Sequence, residues 1–112
     1  MKTVLVIEDD IGIQKQLKWS LADYELVFAS DRASALTQLR RYEPSVVTLD
    51  LGLPPDPANA SEGLACLSEI LTSSPDCKVI VITGNTDNEH ALNAIDFGAY
   101  DFYQKPLDVE VL

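Results

Sequence analysis

The stretch SVVTLD, residues 45–50, decides the fold, because four apolar or β-branched residues run without interruption and end in an acidic one. A strand with one face in water alternates apolar and polar residues, whereas a continuous apolar run is typical of a strand covered on both faces. Two similar runs occur elsewhere, TVLVI at residues 3–7 and KVIVI at residues 78–82. The three runs predict central strands of a parallel sheet.

Amphipathic stretches separate these strands. Ile13, Leu17 and Leu21 recur every four residues and predict a helix over residues 11–22. A second helix should open at Asp31 and stop before Pro44, since proline disfavours helix at the residue before it. The remaining predicted elements are strands at residues 24–29 and 100–103, a helix capped by Ser61 with Leu64, Leu67, Ile70 and Leu71 facing inward, and a helix with a Thr86–Glu89 capping box that stops at Gly98.

The predicted order of elements is β-α-β-α-β-α-β-α-β. Alternation of this kind predicts an α/β protein with a doubly wound five-stranded parallel sheet, right-handed crossovers and helices on both faces. Ligands of such sheets bind at the carboxyl ends of the strands, near the point where the strand order reverses.

Composition limits the partners. The 112 residues make one domain, and their formal net charge of −10 argues against direct binding to nucleic acid or to an anionic membrane. No apolar stretch reaches transmembrane length, and the first apolar run is too short for a signal peptide, so we expect a cytoplasmic protein. Cys66 and Cys77 lack metal or redox spacing, which favours two small buried residues of a reduced protein over a disulfide.

Polar residues follow each central strand, at the edge where a ligand would bind. In chain order these residues are Glu8, Asp9 and Asp10 after the first strand, Asp50 after the third, Thr83 and Gly84 after the fourth, and Lys105 after the fifth. Singly, each is more often a helix cap, a turn residue or a surface charge. Their joint occurrence in this order favours a site.

The chemistry of such a site follows from its charge. Two carboxylates about 4 Å apart repel by roughly 4 kcal/mol at an effective dielectric constant of about 20, so the cluster must raise a pKa or bind a cation. All-oxygen ligands favour Mg²⁺, Mn²⁺ or Ca²⁺ over zinc, and Mg²⁺ commonly bridges carboxylates to a phosphate. Lys105 and Thr83 could neutralise an incoming phosphoryl group, which makes Asp50 the candidate nucleophile.

Four motifs in this order, VLVIEDD, VVTLDLGLP, VIVITGN and GAYDFYQKP, resemble the receiver domains of two-component response regulators over essentially the whole chain. The resemblance implies the flavodoxin-like strand order 2-1-3-4-5. It also implies Asp50 as phosphoacceptor, Asp10 as a helix cap, and Lys105 and Thr83 as partners of the phosphoryl group. The implied metal ligands are Glu8, Asp9, Asp50 and the Gly52 backbone carbonyl, and the implied switch residues are Thr83 and Phe102.

The same resemblance implies a mechanism and partners. A sensor histidine kinase donates the phosphoryl group in a Mg²⁺-dependent reaction, with Mn²⁺ as a possible substitute. Movement of Thr83 and Phe102 then remodels the face formed by the fourth helix, fifth strand and fifth helix. The domain is expected to be a signalling phosphoacceptor rather than an enzyme acting on other substrates, and its output is expected to be transcription.

Two features depart from the usual pattern. The segment LGLPPDPANASEG at residues 51–63 is long, and with TGN and DFYQKP it resembles regulators associated with PEP-CTERM/exosortase systems, which carry a σ54-interacting ATPase domain and a DNA-binding domain. The fifth helix is largely absent from residues 108–112. We therefore expect residues 1–112 to be an N-terminal receiver fragment of a longer transcriptional regulator, with exposed apolar surface that could drive homodimerisation.

Three alternatives compete with the phosphorylation switch. A small-molecule phosphatase of the aspartyl-phosphate type would need a second aspartate where Gly52 stands. A degenerate receiver that acts only as an interaction module would have lost Asp50, Lys105 or the acidic pair, and none is lost. A flavodoxin-like cofactor binder would need a phosphate-cradling loop where Glu8, Asp9 and Asp10 stand, and those carboxylates repel a phosphate unless a metal intervenes.

Overall fold

The computed structural model describes residues 3–51, 61–83 and 95–104. Its five strands form one parallel sheet in the order β2-β1-β3-β4-β5. This confirms the predicted doubly wound fold and its strand order. In chain order the elements are β1 Thr3–Ile7, α1 Ile11–Ser20, β2 Glu25–Ala29, α2 Arg32–Tyr42, β3 Val46–Leu49, α3 Ser61–Ser73, β4 Lys78–Thr83 and β5 Asp101–Gln104.

Side chains at the helix ends explain where the first two helices begin and end. Asp10 caps α1, because its carboxylate accepts hydrogen bonds from the backbone N–H groups of Gly12 at 2.8 Å and Ile13 at 3.3 Å. Asp31 forms a reciprocal capping box with Ser34 at the start of α2. Glu43 ends α2 in the left-handed conformation, with φ of 47°. The helix therefore stops through its own cap as well as through the predicted effect of Pro44.

The two faces of the sheet pack into two separate clusters. Leu5 and Ile7 of β1 point to one face, where α2 and α3 cover them, and Val4 and Val6 point to the other, where Leu17 of α1 packs. The continuous apolar runs of the central strands are thus explained by burial on both faces. The residues that directly follow β1 and β3, Glu8 and Asp50, therefore lie where these buried runs reach the carboxyl edge of the sheet.

Several predicted boundaries shift by one or two residues, as the ends of elements commonly do. The first helix ends at Ser20 rather than at residue 22, and Ser61 is the first helical residue of α3 rather than the cap before it. Gly98, the predicted stop of the fourth helix, has φ of 104° and donates its N–H to the carbonyl of Ile95. Most of the predicted fourth helix and all of the predicted fifth lie outside the described residues.

The two cysteines are buried and unbonded to each other, as the sequence predicts. Burial raises the pKa of the Cys66 thiol to about 12 and that of Cys77 to about 11. Within the described ranges, no helix is long and apolar enough to cross a membrane.

Candidate phosphoryl-acceptor and metal site

The register of the two central strands brings Glu8 and Asp50 to the same level of the sheet. Ile7 of β1 pairs with Leu49 of β3, and these are the last residues of their strands. The N–H of Asp50 then donates to the carbonyl of Ile7 at 2.9 Å, and the N–H of Glu8 donates to the carbonyl of Ala29 at 2.9 Å. The ladder therefore extends one residue beyond the strands and fixes both acidic residues by their backbones.

Three carboxylates converge at this edge. One ligand atom each from Glu8, Asp9 and Asp50 lies within 4.8 Å of the other two. Glu8 and Asp50 are only 2% and 6% exposed, whereas Asp9 faces solvent. Carboxylates held this close and partly out of water fit a hard divalent cation, because such cations prefer negatively charged oxygen ligands. The donor set matches the predicted ligands Glu8, Asp9 and Asp50.

Asp10 is separated from this cluster by its role as a cap. Its carboxylate is directed to the first turn of α1, while its backbone N–H donates to Oε1 of Glu8 at 3.1 Å. Gln14, one turn into α1, donates from Nε2 to the backbone carbonyl of Glu8. The predicted role of Asp10 as a helix cap is confirmed, and Asp9 rather than Asp10 lies in the acidic cluster.

The segment after Asp50 is anchored by α3. Leu51 is completely buried in the cluster beneath α2 and α3, and its carbonyl accepts a hydrogen bond from the N–H of Gly63 at 3.2 Å. Leu51 and Gly63, which stand at the two ends of this segment, are therefore in direct contact. Gly52, whose carbonyl is a predicted metal ligand, lies outside the described residues.

The predicted switch residues lie on the two neighbouring strands, β4 and β5. Thr83 is the last residue of β4 and pairs with Gln104, while Phe102 of β5 pairs with Val81 and is half-buried against the same core cluster as Leu51. The described residues thus place the backbone of Thr83 at the carboxyl edge. The Thr83 side chain and the whole of Lys105 lie outside the described part, so their roles stay predictions.

Sequence reasoning missed two residues that the structure places beside the site. Gln14 supports the backbone of Glu8, and Gly63 allows α3 to approach Leu51 closely. The sequence did offer a hint for Gly63, a glycine in the first turn of a helix that follows the acidic strand end. No pattern marked Gln14, which looks like any solvent-facing residue of an amphipathic helix.

Comparison with known proteins agrees with this geometry. Residues 4–112 match the family model described as the response regulator receiver domain, and the chain belongs to that family. It is 36% identical over 111 residues to the transcriptional regulatory protein KdpE of Staphylococcus aureus, covering 97% of this chain and 46% of that protein. The chain spans less than half the length of the curated relatives that it matches.

Solved structures agree as well. The receiver domain of NtrX from Brucella abortus superposes with a TM-score of 0.87 at 34% identity, covering 96% of this chain and 89% of that one. A response regulator protein from Burkholderia pseudomallei, described with a phosphorylated aspartic acid, a calcium ion and citrate, superposes with a TM-score of 0.87 at 27% identity. That alignment covers 99% of this chain and 64% of the other.

Proposed function

We propose that Asp50 accepts a phosphoryl group from a sensor histidine kinase in a Mg²⁺-dependent reaction. The observation that carries this proposal is the convergence of Glu8, Asp9 and Asp50 within 4.8 Å at the carboxyl edge of a receiver fold. Glu8, Asp9, Asp50 and the carbonyl of Gly52 would hold the metal. The phosphorylated aspartate and calcium ion of the Burkholderia protein support the same chemistry for this family.

The transfer requires an in-line attack by one carboxylate oxygen of Asp50. A bond forms between that oxygen and phosphorus, the P–N bond of the donor phosphohistidine breaks, and its electron pair stays on the imidazole nitrogen. A bound Mg²⁺ would supply positive charge for the phosphoryl oxygens. The hydrogen bond from the N–H of Asp50 to the carbonyl of Ile7 fixes the main chain that carries the proposed nucleophile.

Lys105 and Thr83 complete the proposed chemistry. We infer that the ammonium of Lys105 pairs with the phosphoryl group and that the hydroxyl of Thr83 moves towards it. Phe102 belongs to the strand next to β4 and is only half-buried, which leaves room for its ring to change rotamer when Thr83 moves. The consequence would be a two-state change of the surface around β5, driven by a local charge.

The output is proposed from the relatives. Because the curated relatives are more than twice as long as the matched region, we propose that this receiver acts together with an output domain, one that controls transcription as in KdpE. We also propose a cytoplasmic location, because a regulator that receives a phosphoryl group from a kinase and controls transcription acts there. Homodimerisation, the resemblance to exosortase-associated regulators, and a σ54-interacting ATPase with a DNA-binding domain stay predictions.

The competing function is a degenerate receiver that binds partners without phosphorylation. Retention of all three converging carboxylates disfavours it, since carboxylate oxygens within 4.8 Å of one another fit a divalent cation, which an interaction module does not need. No described feature favours the phosphatase alternative.

Intact-mass spectrometry after incubation with acetyl phosphate separates the two functions. The proposal expects one phosphoryl adduct on the wild type in Mg²⁺, and none in EDTA or in Asp50→Asn. Asp10→Asn is the matched control, because it removes a neighbouring charge that caps α1 and should leave the adduct in place. A folded wild type without any adduct would favour the interaction module.

A further inference from the structure

Gly63 lies against the backbone that follows Asp50, closer than any other residue type could. It is the third residue of α3, it is buried, and its N–H donates to the carbonyl of Leu51. A Cβ atom at this position would lie 2.2 Å from Cα, 2.4 Å from O and 2.6 Å from C of Leu51. All three atoms are backbone, so no side-chain rotation relieves the overlap.

Leu51 cannot move away independently of the site. Its side chain is fully buried in the same cluster as Leu67 and Ile70 of α3. On its other side it is joined to Asp50, whose N–H is bonded to the carbonyl of Ile7. Protein interiors are close-packed, so a displacement of Leu51 would pass to the peptide of Asp50 rather than into empty space.

The helix cannot move away freely either, because an arginine of α2 holds it. Nε of Arg32 lies 2.9 Å from Oε1 of Glu62, and Nη1 lies 3.1 Å from Oε1 of Glu69. Glu62 and Glu69 are two helical turns apart on α3, so these partly exposed ion pairs tie the start and the middle of the helix to α2 and add modestly to its anchoring. The buried side chains of Leu67 and Ile70 anchor the same helix in the core, while Gly63 packs against Leu51.

We propose that Gly63 is a positioning residue for the phosphoryl-acceptor site, an inference that rests on the proposed function of Asp50. Its missing side chain lets α3 seat against Leu51 while Arg32 holds the helix, and this seating sets the position of the Asp50 carboxylate relative to Glu8 and Asp9. An alanine would need the contact to Leu51 to open from 2.2 Å to at least 3.0 Å. A shift of that size exceeds the tolerance of roughly 0.5 Å that functional constellations allow.

Three variants test this role: Gly63→Ala, Gly98→Ala and the double variant Gly63→Ala with Arg32→Gln. Gly98 is the matched control, since its φ of 104° and a contact of 2.9 Å to Cδ1 of Leu71 strain an alanine there too, but the contacted atom is the end of a side chain. Mg²⁺ affinity by calorimetry and the rate of adduct formation with acetyl phosphate are the readouts, with the free energy of unfolding measured alongside.

We expect Gly63→Ala to lose about tenfold or more in Mg²⁺ affinity, the loss typical when support of a metal ligand is removed. Gly98→Ala should keep wild-type affinity even where it loses stability. The double variant should regain part of the affinity, because α3 without its two ion pairs to Arg32 can shift away from Leu51 at a lower cost. A purely structural role predicts instead that the second substitution lowers folding and affinity further.

The outcomes separate this inference from the function on which it rests. If wild-type protein binds no Mg²⁺ and forms no adduct, the proposed function is wrong. If the wild type does both and Gly63→Ala matches it, the positioning role alone is wrong. Should Gly63→Ala not fold, the double variant decides, and its failure to fold or to bind Mg²⁺ overturns the proposal.

Discussion

Replacing Asp9 by asparagine should change the stability of the protein in opposite directions with and without Mg²⁺. Asp9 is the exposed member of the acidic cluster, and its ligand atom lies within 4.8 Å of those of Glu8 and Asp50. Without a metal the three charges repel one another, so neutralising one of them is favourable. Under the proposed function the same carboxylate would be a ligand when a metal binds, and its loss would weaken the folded state relative to the wild type.

The magnitudes follow from distance and exposure. Unit charges 4.8 Å apart repel by about 3.5 kcal/mol at an effective dielectric constant of 20 and by about 1 kcal/mol in bulk water. Because Asp9 faces solvent, the lower figure applies to each of its two charged neighbours, and salt screening reduces their sum, so Asp9→Asn should be about 1 kcal/mol more stable than the wild type in EDTA. At a Mg²⁺ concentration of 100 times Kd the wild type should gain about 2.7 kcal/mol, which is roughly 10 °C in Tm for a domain of this size.

Differential scanning fluorimetry across a Mg²⁺ titration measures both effects. Asp10→Asn is the control of equal charge, because asparagine caps helices as well as aspartate and the Asp10 carboxylate is directed to the first turn of α1. We expect the curves of wild type and Asp9→Asn to cross, while Asp10→Asn follows the wild type. Full Mg²⁺ stabilisation of Asp9→Asn, or equal loss in both variants, would refute the assignment of Asp9 as a ligand.

Three further predictions concern stability and reactivity. The buried hydroxyl of Thr48 makes no hydrogen bond within the described part of the chain, so Thr48→Val should raise the free energy of unfolding by about 1 kcal/mol in urea titrations, and a loss would show that the hydroxyl is satisfied. Asp31→Ala should cost about 1 kcal/mol by removing the cap of α2. Because hydrogen bonds from Ser34 hold the pKa of Asp31 below its ordinary value of 3.8, that cost should be complete above this pH and vanish as the pH falls through the folded-state value; a constant difference down to pH 2 would contradict it. Burial and raised pKa should keep Cys66 and Cys77 unreactive towards a thiol reagent at pH 8 until the protein is unfolded, and stoichiometric labelling of native protein would count against their burial.

The fold could be predicted because local pattern and burial agree along this chain. The continuous apolar runs at residues 3–7 and 46–49 report burial on both faces, which in an α/β order leaves few topologies. The convergence of Glu8 and Asp50 followed from the same topology, since each residue comes directly after a central strand. Even the separate role of Asp10 was readable, because an acidic residue just before a helix is a frequent cap.

What the sequence could not predict depends on contacts between distant elements. The ion pair between Arg32 and Glu69 joins residues that no sequence pattern relates. The clash that a Cβ atom at position 63 would make with the Leu51 backbone exists only once α3 is packed on Leu51. Trp19 shows the same limit. Its place off the apolar stripe of α1 does not say how much of its side chain is exposed, and the structure gives 85%. Thr48 looked like any β-branched strand residue until its hydroxyl proved to be buried.

Identification of the residue that carries the phosphoryl group tests the central claim most directly. Wild-type protein is treated with acetyl phosphate and Mg²⁺, reduced with borohydride, which converts an aspartyl phosphate to homoserine, and mapped by peptide mass spectrometry. The account predicts homoserine at position 50 alone, and none when EDTA replaces Mg²⁺. Modification at Asp9 or elsewhere, or modification at Asp50 that persists in EDTA, would contradict it.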